Sequence, residues 1–224
     1  MDPCHVCMFD ATLSSEWFDD YVYPEGGDNI TICVPIQILC TVLNMHSNGQ
    51  ELCLNMASDS DTLEVALKAS ADTCEKSFVI PLYLQTDDLN GTPSFDYDLE
   101  MTLLSANFAA LVRQFDAFGS ELIFSIDDDK VELSASGESG DMKTKLTIGN
   151  AEEERVFGLL GYDAVEDCRQ NCKFAMKYMK MATKFEKISS EIKLSMQEDI
   201  PITLEYKLDD NSKLVILLCP KVQD

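Results

Sequence analysis

Glu121-Leu-Ile-Phe-Ser-Ile-Asp-Asp-Asp-Lys-Val-Glu-Leu-Ser-Ala-Ser-Gly137 reads as a strand, an acidic turn and a second strand. On both sides of Asp127-Asp-Asp-Lys, apolar or small residues alternate with polar ones, the period of a half-buried β-strand. The same pattern recurs at Glu51 to Ala57, Thr62 to Ala69, Glu191 to Met196, Ile202 to Leu208 and Lys213 to Cys219. Acidic turns such as Ser58-Asp-Ser-Asp and Asp209-Asp-Asn-Ser separate them. The chain is therefore β-rich.

Three stretches carry helical periodicity: roughly Pro35 to Met45, Ser105 to Phe118 and Cys172 to Phe185. The second places Phe108, Leu111, Val112 and Phe115 at i, i+3, i+4 and i+7, with Ser105 or a neighbour as the expected N-cap. After each helix comes a short turn and then a glutamate opening an apolar strand: Glu51-Leu-Cys-Leu, Glu121-Leu-Ile-Phe and Glu191-Ile-Lys-Leu. These glutamates are 70 residues apart in both intervals. A second strand follows across a polar turn each time, so a helix-strand-strand unit repeats, too long for a solenoid repeat and read as half of a domain. The polar stretch Gln85-Thr-Asp-Asp-Leu-Asn-Gly-Thr-Pro-Ser-Phe-Asp96 suits a connector. The expected division is a partial domain over residues 1–84, a connector over 85–96 and a second domain over 97–224.

The chain has 224 residues, 46% of them hydrophobic, as in an ordinary globular protein. It contains no apolar run long enough to span a membrane and no secretory leader pattern, and is read as soluble and intracellular. Nine cysteines at irregular spacing fit free or buried thiols better than a disulfide framework. The net charge of −23 opposes nucleic-acid binding by the surface as a whole. Up to Val112, however, the only basic side chains are Lys68 and Lys76, whereas Arg169, Lys173, Lys177, Lys180, Lys184 and Lys187 fall within one short segment.

Lys173, Lys177, Lys180 and Lys184 are spaced i, i+4, i+7 and i+11, the spacing of one helix face. Phe174, Tyr178, Met181 and Phe185 form a second stripe able to rest on a sheet. A solvated face explains such lysines as readily as phosphate contact does. If they do meet nucleic acid, a lysine row with its aromatic neighbours committed to the core suits sequence-independent phosphate contact and not base reading.

Lys130-Val-Glu-Leu-Ser-Ala-Ser-Gly-Glu, Ser189-Ser-Glu-Ile-Lys-Leu-Ser-Met, Asp199-Ile-Pro-Ile-Thr-Leu-Glu-Tyr-Lys and Leu218-Cys-Pro-Lys-Val resemble the second half of proliferating cell nuclear antigen. Met1-Asp-Pro-Cys-His-Val and Asp61-Thr-Leu resemble its first half less closely. The resemblance implies an α+β DNA-clamp fold: two sheet-rich domains with channel-facing helices, assembled as a homotrimeric ring around double-stranded DNA. The family subunit has four helix-bearing units where this chain shows three, so the first domain is expected to be incomplete and the N-terminus shortened. Lys177 and Lys184 match basic channel positions and Arg113 matches one on the preceding helix, with Lys173 and Lys180 extending that face. Gln37 and Cys40 stand where lysines are usual.

The resemblance also implies a pocket for peptides from DNA polymerases and other replication or repair proteins. Here His5, Val6 and Met8 match one wall, Leu89 the connector, Tyr97 its end, and Pro201, Leu217 and Pro220 the C-terminal wall. Core packing accounts equally well for Val6, Met8 and Leu217. Subunit contacts are expected near Cys74 to Pro81 and Lys143 to Gly149, with Phe78 and Ile148 as their interface residues. A clamp loader and a nuclear location are further implications of the resemblance.

No enzyme chemistry is apparent. Cys4-His-Val-Cys7 has a zinc-like look but lacks a second ligand pair at zinc spacing, and Cys168 and Cys172 fit one helix face. His46 reads as a turn residue, and the carboxylate runs read as solvated turns. The expectation is a non-enzymatic DNA sliding clamp, or processivity factor, with no metal or cofactor. The alternatives are a clamp-derived interaction protein that binds partner peptides without closing on DNA, and a Cys/His metal protein.

Overall fold

The computed structural model describes residues 6–23, 30–57, 60–69, 74–83, 93–127, 130–147 and 158–221. In chain order the elements are β1 (Cys7–Thr12), α1 (Ile36–Leu43), β2 (Glu51–Asn55), β3 (Thr62–Lys68), β4 (Lys76–Pro81), β5 (Leu99–Leu104) and α2 (Ser105–Phe115). Then come β6 (Glu121–Asp127), β7 (Lys130–Gly137), β8 (Gly140–Thr147), β9 (Leu159–Ala164), β10 (Arg169–Ala175), α3 (Met176–Ala182), β11 (Glu191–Met196), β12 (Ile202–Lys207) and β13 (Lys213–Leu218). Single 3-10 turns lie at Ser15–Trp17 and Thr183–Phe185. This sheet-rich α+β arrangement matches the expected fold class.

The described residues divide into two compact units, one within Met1–Tyr21 and Thr92–Asp224, the other within Val22–Gly91. The expected division had placed all of residues 1–84 together. Strand β1 instead pairs antiparallel with β13, Cys7 opposite Leu218 and Thr12 opposite Lys213, which binds this early segment to the larger unit.

The larger unit contains a six-stranded sheet in the order β1-β13-β12-β11-β5-β9 and a four-stranded sheet in the order β10-β6-β7-β8. The alternation read in the sequence sets which side chains are buried: Leu122, Phe124 and Ile126 on β6, Val131, Leu133 and Ala135 on β7, all in one core. Helices α2 and α3 pack on each other, α2 against β5 and α3 against β6, β10 and β13. Helix α2 turns Phe108, Leu111, Val112 and Phe115 into that core, as its periodicity predicts. Ser105 does not cap it: it is the first helical residue, its N–H donates to the Ser190 carbonyl at 2.9 Å, and its buried hydroxyl has no hydrogen-bond partner among the described residues.

Two glycines let the end of α2 meet β7. A methyl group on Gly137 would lie 2.3 Å from the Phe118 carbonyl oxygen, and one on Gly119 would lie 2.6 Å from that of Ser136. Both distances are well inside van der Waals contact, so only glycine admits this approach.

The third expected helix is shorter than its reading. Residues 169–175 form strand β10, with Gln170, Cys172 and Phe174 buried and Arg169 and Asn171 exposed. The period-two pattern prevails there because β10 has a partner, β6, along its whole length. Cys168 and Cys172 thus do not share a helix face. The smaller unit holds α1 and the sheet β2-β3-β4 around a compact core of Val42, Leu63, Val65 and Ile80.

Candidate functional site

Helix α3 turns Met176, Met179 and Ala182 inward. That rotation leaves Lys177 and Lys180, with Lys184 on the following 3-10 turn, exposed along one side. Together with Asp116, Ser120, Met176 and Met181 these lysines line a cleft of about 360 Å³. The helix axis is pinned from below: Tyr206, fully buried on β12, donates its hydroxyl to the Ala182 carbonyl at 3.0 Å. Burial, and secondarily Glu186, raises the Tyr206 phenol far above its ordinary range, so it remains a donor.

The cations differ in their surroundings. Lys180 lies 2.6 Å from Asp116, just beyond α2, and Arg113 lies 3.0 Å from Glu186. Both are occupied by carboxylates. Lys177 stands 5.3 Å from the ring centre of Tyr178. Neither Lys177 nor Lys184 has a carboxylate within salt-bridge distance among the described residues, which leaves both available to an external anion. Lys173 does not extend this helical row. It lies on β10 opposite Ile123, half-buried, and its carbonyl accepts the Lys221 N–H at 2.7 Å.

A second surface lies on the six-stranded sheet. Met8 is opposite Leu217 across β1 and β13, and Leu217 is opposite Thr203 across β13 and β12. These partners share one face, opposite to that of Leu214, Ile216 and Leu218, which join the main core. Tyr97 reaches the same row, donating its hydroxyl to the Pro201 carbonyl at 3.1 Å and sharing a short hydrogen bond with Thr203. Burial raises the Tyr97 phenol above its usual value. Phe95, which the sequence reading did not select, meets the Tyr97 ring edge-on with centroids 6.0 Å apart. The Val6 carbonyl accepts the Cys219 N–H at 2.9 Å, which brings Val6 beside Pro220 in the chain. Val6, Met8, Tyr97, Pro201, Leu217 and Pro220 thus gather around the β1–β13 seam and its neighbour β12. His5 and Leu89 lie outside the described residues.

Strand β4 in the smaller unit and strand β8 in the larger each lie at one end of their sheet. Among the described residues each pairs on one side only, β4 with β3 and β8 with β7. Phe78 on β4 packs against the small core, whereas the adjacent Val79 points outward and is exposed. Val79 therefore presents an apolar side chain at this edge. Ile148 lies outside the described residues.

Cys4 and His5 of the zinc-like motif are likewise outside the described residues, and Cys7 is buried in β1 as part of the main core. Among the described residues no group of three or more His, Cys, Asp or Glu side chains is arranged to hold a metal ion, and no helix is long and apolar enough to cross a membrane.

The comparison with protein families fits this arrangement. The family model for the proliferating cell nuclear antigen C-terminal domain matches residues 91–221, more than half of the chain, and takes in α2, α3, both sheets' central strands and the Tyr97–Leu217 surface. The chain is a member of the proliferating cell nuclear antigen family of sliding clamps.

Proposed function

We propose that the chain is a DNA sliding clamp, a processivity factor that closes as a homotrimer around duplex DNA and tethers replication and repair enzymes in the nucleus. The observation that carries this reading is the exposed row Lys177, Lys180 and Lys184 on a chain of net charge −23. An acidic exterior repels the phosphate backbone, while a local lysine row attracts it without reading bases. Contacts of this kind are weak and mobile, which suits sliding. In this reading residues 85–96 are the connector between the two domains, a clamp loader opens the ring, and the role is non-enzymatic.

The surface around Met8, Tyr97, Pro201, Leu217 and Pro220, with His5, Val6 and Leu89, takes partner peptides. Their affinity comes from a few apolar or aromatic anchors buried against Leu217 and the Tyr97 ring. The strand edges β4 and β8 join neighbouring subunits, since open edges pair readily with another chain. A second reading, a clamp-derived adaptor that binds peptides without encircling DNA, draws support from the exposed apolar residues of the smaller unit.

Light scattering across a concentration series separates the two readings. A mass of three 25.0 kDa subunits, reduced to one by Val79→Asp, supports the ring. A wild-type chain that stays monomeric at every concentration refutes it and leaves the adaptor.

A further inference from the structure

The outer face of the four-stranded sheet is assembled from residues that the chain keeps apart. Phe124 on β6, Leu133 on β7, Leu146 on β8 and Phe174 on β10 are buried and fix which face turns inward. Alternation then sets Lys130, Lys143, Lys145, Arg169 and Lys173 on the opposite face. In a chain with 17 Lys and Arg against 40 Asp and Glu, these cations converge on one surface.

Most carboxylates of that face are engaged within it. Arg169 lies 3.1 Å from Asp127, Lys143 lies 3.4 Å from Glu132, and Lys221, whose N–H donates to the Lys173 carbonyl, pairs with Glu121. Asp141 stands apart at the β7–β8 turn, opposite Ser136. Lys130, Lys145 and Lys173 have no carboxylate within salt-bridge distance among the described residues. Lys130 and Lys145 are exposed diagonal neighbours on β7 and β8, whereas Lys173 is half-buried on β10. Three strand spacings, about 14 Å, separate β10 from β8. Between them lies Ile123, half-buried, with Lys173 opposite on one side and Ser134 on the other.

Duplex DNA fits this face poorly. A continuous phosphate backbone crossing it would meet Asp127 and Glu132 in the middle as well as the lysines at the sides. Separate carboxylates on a flexible chain avoid those two groups. We infer that the outer face of β10-β6-β7-β8 is a docking surface for an acidic peptide that crosses the strands, one carboxylate end on Lys130 and Lys145 and the other on Lys173. The two ends are about four extended residues apart, and an apolar residue between them rests on Ile123. The rest of an acidic chain repels such a peptide, so the face also decides where it lands. The surface is distinct from the lysine row of α3 and from the Tyr97–Leu217 surface. Pairing at the β8 edge takes place in the plane of the sheet and leaves this face accessible.

The probe is a short fluorescein-labelled peptide with paired glutamates at both ends and a leucine midway, titrated into the full-length protein by fluorescence anisotropy. Saturable binding is expected, weakened at least about tenfold by Lys130→Glu combined with Lys145→Glu. Lys173→Gln should also weaken it, Lys177→Glu should leave it unchanged, and replacing the peptide's glutamates with glutamines should abolish it. Circular dichroism establishes that each variant folds. Absence of saturable binding overturns the inference. So does binding that survives the double substitution, or that Lys177→Glu weakens equally, since the peptide would then lie along α3. A labelled DNA duplex that loses affinity through Lys130→Glu and Lys145→Glu, with no peptide binding, overturns it in favour of nucleic acid at this face.

Discussion

Asp116→Asn preserves the shape of the side chain beside Lys180 and removes its charge. In the folded chain Lys180 is 2.6 Å from Asp116, and both groups are partly exposed. An ion pair in this setting contributes about 0.2–1 kcal/mol, which DNA must offset before Lys180 can turn to a phosphate. By comparison, one lysine–phosphate contact contributes a slope of about 0.9 in log K against log salt, or roughly an eightfold gain at about 0.1 M salt. Freeing Lys180 should therefore tighten binding to a short linear duplex by a factor of about 1.4 to 5 and steepen the salt slope by at most about 0.9. The assay is anisotropy of a labelled duplex over a salt series. The decisive control is the same substitution in a Lys180→Ala background, where the gain should vanish. Equal affinity of Asp116→Asn and the wild type, or a gain that persists without Lys180, would refute the reasoning.

Two further predictions concern the frame behind that surface. Tyr206→Phe deletes the hydroxyl that supports the Ala182 carbonyl and leaves that acceptor without its donor. The expected loss is about 1–3 kcal/mol in denaturant unfolding of the larger unit, and an unchanged midpoint would show that the bond does not anchor α3. Burial, followed by the nearby Glu198, Asp199 and Cys168, raises the Cys172 thiol to about 11. Because the folded value exceeds the ordinary one, the stability from keeping this thiol neutral is complete below about pH 9 and is lost as the pH rises through about 11. At pH 8 its thiolate is about one part in a thousand. Iodoacetamide followed by peptide mass spectrometry should then label exposed Cys40 and Cys74 long before Cys172, and equal rates would contradict the assignment.

Much of the architecture is legible in short-range pattern. Glu51, Glu121 and Glu191 each begin a strand, β2, β6 and β11, because helix, turn and alternating apolar run occur in the same order three times. The lysine row is legible only in part. Lys177, Lys180 and Lys184 follow helical spacing, but Lys173 stands four positions before Lys177, an even offset that also satisfies strand alternation. The pairing of β10 with β6 resolves the ambiguity in favour of a strand. Phe78 illustrates the complementary difficulty: its strand can be located by resemblance, yet its inward orientation depends on Val65 opposite it and on the small core behind it.

By itself the sequence determined the β-rich class, the 70-residue repeat, the three helical segments and the concentration of positive charge near α3. These properties are periodic or compositional, and they are carried by residues close together in the chain. Tertiary structure alone decided that Cys7–Thr12 joins the sheet edge at Lys213–Leu218, that Asp116 and Glu186 occupy two of the expected DNA-contacting cations, and that β2, among the described residues, pairs on one side only where β11 pairs on both. Each depends on groups far apart in sequence becoming neighbours. A local period specifies which face of an element is apolar, but not which other element buries that face or which charge stands beside it.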